Sequence, residues 1–74
     1  MEIILKNTSK IVEVNGVPAR IWEGETKSGI KLHAYITRVA INKDEIRIEE
    51  FHAELKEQNP PSAEIQAIPM RLIL

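Results

Sequence analysis

The sequence predicts an α+β fold, an antiparallel meander of three to five strands with one α-helix packed on it, formed by a single small domain over residues 1–74. Three observations carry this expectation. The first half of the chain is rich in β-branched residues in short runs. Asn15-Gly16 lies between two of those runs, and both residue types accept positive φ, the strongest short signal for a hairpin. Later, Ile48, Phe51 and Leu55 recur at offsets of three and four, the period of one helical face.

Each element follows in order. Residues 3–5 and 10–14 read as strand, and the Asn15-Gly16 turn leads into a strand from about Val17 to Thr26. Lys27-Ser28-Gly29 then suits a tight turn closed by a glycine. A third strand is expected from about Ile30 to Ile41, followed by a turn at Asn42-Lys43-Asp44-Glu45. The helix is expected from about Arg47 to Gln58, with Glu49 and Glu50 favouring its N-terminus through the macrodipole. Asn59-Pro60-Pro61 stops it, because proline cannot continue the hydrogen-bond ladder. After it, either Ser62 caps a short turn of helix or the chain is already extended. The tail AIPMRLIL is apolar enough to require docking, on the sheet or on another subunit.

Two registers compete for the second hairpin, and a slip of one residue moves every side chain to the opposite face. A two-residue turn at Lys27-Ser28 pairs Ile21 with Ala34 and gathers Val12, Val14, Val17, Ala19, Ile21, Leu32, Ala34 and Ile36 on one face. Arg20, Trp22, His33, Tyr35 and Thr37 then share the other face. A three-residue turn with Gly29 in a bulge sets Trp22 against Ala34, Arg20 against Ile36, Glu23 against His33 and Glu25 against Lys31. Turn chemistry favours the three-residue form. Burial of a whole face favours the two-residue form, which is the register expected here.

Composition excludes several functional classes. Ten basic and eleven acidic side chains give no surplus of positive charge for broad nucleic-acid binding. The chain has no cysteine, so disulfides, thiolate zinc sites and thiol nucleophiles are absent. No segment approaches the roughly 20 apolar residues of a membrane span, and the N-terminus does not read as a signal peptide. A cytoplasmic protein without cofactor or metal is expected. A core this small calls for a staple, and homo-oligomerisation is the one left open.

Catalytic patterns are equally sparse. Gly16, Gly24 and Gly29 form no phosphate-binding loop, and the serines sit in turns without a nucleophile-elbow pattern. His33 and His52 have no partners at metal-ligand spacing. Glu45, Glu49, Glu50, Glu54 and Glu57, with Arg47 and Lys56 nearby, read as a solvated helix face. The chemistry-bearing group that remains is Arg20, Trp22, His33, Tyr35 and Arg38, with Arg71 as an outlier in the apolar tail. A lone Trp in a small domain is chiefly a core anchor. The functional reading makes Trp22 a stacking platform, with arginines giving planar paired donors to phosphate or carboxylate.

The segment NGVPARIWEGETKSGIKLHAYITRVAI, a short acidic helix and then PSAEIQAIPMRLIL resemble small uncharacterised proteins of bacteriophage and prophage genomes, over about Ser9 to Leu74. This resemblance implies a host-defence inhibitor that works by occupancy in the host cytoplasm, blocking a host factor or sequestering a signalling molecule. The expected function is therefore a non-enzymatic binding protein for a small anionic or nucleotide-like ligand. The alternative is a protein–protein interaction or structural module that uses a spare apolar sheet face and the C-terminal tail.

Overall fold

The computed structural model describes residues 1–74. Four strands form one mixed sheet in the order β3-β2-β1-β4, with β1 Ile3–Val14, β2 Val17–Thr26, β3 Lys31–Ile36 and β4 Arg71–Leu72. β1, β2 and β3 make the expected antiparallel meander. β4 departs from it by running parallel to β1, pairing Glu13 with Arg71 and Val14 with Leu72. Parallel pairing needs a long crossover, and here it carries two helices rather than the one expected: α1, Ile48–Lys56, and α2, Ala63–Gln66. No helix is long and apolar enough to cross a membrane.

The Asn15-Gly16 turn forms with Asn15 itself at φ 50°. The polar stretch at residues 6–9 does not divide two strands as the sequence suggested. It is a bulge inside one long strand, where Asn7 pairs with Trp22 and Ile11 with Arg20. Three residues of β1 thus stand opposite Ile21 alone. The surplus is two residues, an even number, so the alternation of faces is preserved across the bulge.

The second hairpin overturns the expected register. Trp22 lies opposite Ala34, Arg20 opposite Ile36, Ile21 opposite Tyr35 and Glu23 opposite His33. The loop holds three residues. Gly29 sits at φ 93°, its N–H donates to the Thr26 carbonyl, and the Thr26 N–H donates to the Ile30 carbonyl. The Ile30 N–H finds the Thr26 hydroxyl at 3.1 Å. Turn chemistry prevails because the Ile21 face draws only Tyr35 from β3 and the rest of its cover from elsewhere. Val12, Ile21 and Ile65 form that core, with Val14, Tyr35, Ile68 and Leu72 packed around it. Most of the lid comes from the C-terminal segment.

Each sheet face has its own cover. Ser62 caps α2 by accepting the Ile65 N–H, which seats Ile65 on the Ile21 face. α1 lies over the opposite face, tied there by Asn7 Nδ2 donating to the Leu55 carbonyl at 2.9 Å. It buries none of its residues, so its seating is shallow. Six residues of the chain are buried in all, which leaves a thin core for 74 residues.

Gly24 marks the closest approach of the two long strands. A Cβ there would run into the Ile4 carbonyl oxygen and lie 2.9 Å from Leu5 Cα, both backbone atoms that cannot swing aside. At Gly29 an added Cβ meets nothing within 4 Å, and only the left-handed backbone opposes it. Gly24→Ala is therefore expected to cost about 3 kcal/mol through overpacking, and Gly29→Ala about 1–2 kcal/mol. Urea unfolding of the two variants checks the order, which reverses if β1 and β2 are not in close contact at Gly24.

Candidate anion-binding cleft

The bulge in β1 positions Arg20. Thr8, only 1% exposed, donates its hydroxyl to the Ile21 carbonyl at 2.7 Å and accepts the Lys10 N–H at 3.2 Å. Its own carbonyl is met by Arg20 Nη1 at 2.9 Å. Asn59 closes the outer side: its N–H donates to the Asn7 carbonyl at 3.1 Å, and its carbonyl accepts from the Ser9 N–H at 3.2 Å. No buried side-chain nitrogen or oxygen is left without a partner. Arg20 is thereby held against β1, close to Trp22 and on the face that α1 covers.

Between α1 and this face lies a cleft of about 430 Å³. Arg20, Trp22, Arg38, His52 and Lys56 contribute to its wall, with Ile11, Ile36 and Leu55 among the apolar parts. No carboxylate lines it. Its volume is within the range of about 300–1,000 Å³ typical of ligand sites. Trp22 and Leu55 also border the adjoining space toward Leu5 and Phe51, where Glu54 and Glu57 appear. Lys6 also borders that space, so charges of both signs meet there, whereas the cleft beside Arg20 holds cations without carboxylates.

The structure brings together three of the sequence-predicted residues, Arg20, Trp22 and Arg38. It separates the others. His33 and Tyr35 occupy the opposite sheet face, edge to face at 5.3 Å between ring centroids, with His33 Nε2 and the Tyr35 hydroxyl 3.1 Å apart. Arg71 pairs with Glu13, Nε to Oε2 at 2.7 Å, and does not line the cleft. The three-residue turn is the physical cause of the split, since it moves β3 by one position relative to β2.

His52 and Lys56 were not singled out as site residues. Their signal was a spacing of four on the helix, with Leu55 beside them, which puts all three on one face. Reading the acidic residues as the helix's character hid this basic stripe.

A larger cleft, about 700 Å³, lies on the His33 face beside α2. Lys6 and Lys31 face Glu23, Glu25 and Glu64 there, so it carries carboxylates as well as cations. The Glu23 carboxylate is already engaged, accepting from both the Ser62 N–H and the Ser62 hydroxyl. No group of three or more His, Cys, Asp or Glu is arranged to hold a metal ion. No protein-family model, curated protein or solved structure matches this chain.

The wall formed by α1 is fastened at its start by Glu45. The carboxylate accepts from Arg47 Nε at 2.7 Å, from Arg47 Nη2 at 3.3 Å and from the Arg47 N–H at 3.1 Å. The Arg47 side-chain hydrogen bonds, followed by its backbone N–H, lower the pKa of Glu45 from its ordinary 4.5. A lowered folded-state value means that the contact stabilises above the ordinary value and is lost as pH falls through the depressed one. An NMR titration of the Glu45 carboxyl, followed with the amide exchange of α1, should show the helix start loosening only in that acid range. Arg20 and Arg38 should separate in stability. Arg20→Ala strips the buried Thr8 carbonyl of its donor and is expected to cost about 1–2 kcal/mol. Arg38 is exposed, so Arg38→Ala should stay within about 0.5 kcal/mol by denaturant unfolding.

Proposed function

We propose that this protein is a non-enzymatic binding protein that holds a small anionic, nucleotide-like ligand in the cleft under α1. The observation that carries the reading is the composition of the wall: two arginines, a lysine and a histidine around the only tryptophan, without a carboxylate. The indole supplies a stacking face, and the guanidinium groups supply donors matched to phosphate oxygens. Occupancy is the whole action. In a phage-encoded setting it removes a signalling nucleotide from the host cytoplasm, and the protein works there as a homo-oligomer. His33, Tyr35 and Arg71 lie away from the cleft and are left out of the proposed ligand set.

A second reading is supported by the tail. Ile73 and Leu74, which follow β4, are 87% and 81% exposed and offer an apolar contact to another protein.

Isothermal calorimetry with a panel of linear and cyclic nucleotides distinguishes the two. The nucleotide reading expects saturable heat with at least one of them, weakened by added salt, and quenching of Trp22 fluorescence. Arg38→Ala should weaken that binding about 10- to 100-fold, as expected for loss of one charged hydrogen-bonding partner. Absence of heat with every nucleotide would remove this reading and leave the tail-mediated one.

A further inference from the structure

We infer that the outer edge of β3 pairs antiparallel with β3 of a second copy, so that two four-stranded sheets join into one. The first ground is surface area. A self-sufficient monomer of 8.4 kDa exposes about 4,600 Å², whereas this chain exposes 6079 Å². The surplus of about 1,500 Å² is larger than the roughly 800 Å² each partner gives to a standard interface, and it falls within what an obligate homodimer buries per protomer. The chain is also spread out: its radius of gyration is 13.5 Å, against about 11 Å for a compact domain of this length.

The second ground is the edge itself. The hydrogen bond from the Thr26 N–H to the Ile30 carbonyl fixes the phase of the β2–β3 ladder. From there Leu32, Ala34 and Ile36 turn their backbone groups toward β2, and Lys31, His33 and Tyr35 turn theirs outward. β3 ends the sheet, so no strand lies beyond it. The opposite edge is β4, only two residues long, and beyond it the outer side of β1, which is interrupted by the bulge and its bridge to Asn59. β3 has six residues with no proline and no bulge, and a single charge, on Lys31. Such an edge is a template for another strand.

The third ground identifies the occupant as the same chain. Twofold pairing of one edge with itself matches like faces, and the contact closes after two copies. Leu32, Ala34 and Ile36, all half-buried in one chain, then lie beside the same apolar row of the second copy. No acidic residue of β3 is brought against another.

The test combines light scattering with amide hydrogen exchange on the whole chain. The expected result is a dimer whose Lys31, His33 and Tyr35 amides are protected, with that protection falling on dilution. The Leu32, Ala34 and Ile36 amides act as the internal control and stay protected at every concentration. His33→Pro deletes an outward N–H without touching the β2–β3 ladder and is expected to give a monomer. A wild-type monomer at all concentrations overturns the inference. So does an oligomer in which the Lys31, His33 and Tyr35 amides exchange freely, because its interface then lies elsewhere.

Discussion

Where β1 passes Ile21 it sets three residues against one, and the surplus backbone groups must find partners in a place that water hardly reaches. The Thr8 hydroxyl takes the Ile21 carbonyl, Arg20 takes the Thr8 carbonyl, and Asn59 bridges Asn7 and Ser9. Each such bond is worth only about 1 kcal/mol net, whereas an unmet buried group costs about 1–3 kcal/mol. The network therefore matters less for what it adds than for what its loss would expose. It also links elements distant in sequence: residues 7–9 of the first strand, Arg20 of the second and the segment after α1.

From that network follow the two faces. Asn7 anchors the C-terminal turn of α1, while Asn59 sets the path of the chain toward Ser62 and α2. One polar cluster thus determines where both covers land. Arg20 stands in the same network, and its position beside Trp22 is a by-product of satisfying a backbone carbonyl. That structural demand explains why a guanidinium is held so close to an indole on a sheet with little core to spare.

The meander, its Asn15-Gly16 turn, the helix around Phe51 and Leu55, the Ser62 cap as one of two readings of its stretch, and the docking of the tail as far as Ile68 and Leu72 were legible in the sequence. They rest on local rules of turn, cap and period. The parallel return of β4, the bulge and the hairpin register were not legible. The bulge looked like a gap between strands, because Asn7, Thr8 and Ser9 are polar and their partners are found only after folding. The hairpin register was decided by a contest the sequence could not settle alone. Burial of the Ile21 face was granted to β3, when Ile65, Ile68 and Leu72 were available to supply it. Once they do so, β3 is free to follow the geometry of Gly29, and His33 and Tyr35 part company with Trp22.

The pairing of β4 with β1 has a consequence for the order of events during folding. Glu13 and Arg71 are 58 positions apart, while the two hairpins close within a few residues of their turns. Hairpins form in about 1–10 μs, but a contact across most of the chain must first overcome the entropy of closing a long loop. The three-stranded meander is thus the early, local product, and the arrival of residues 65–72 is the late, long-range step that gives Val12 and Ile21 their cover. Between the two stages the apolar side of the central strands is bare. Folding speed in this small protein is governed less by its strands than by how fast its far end returns.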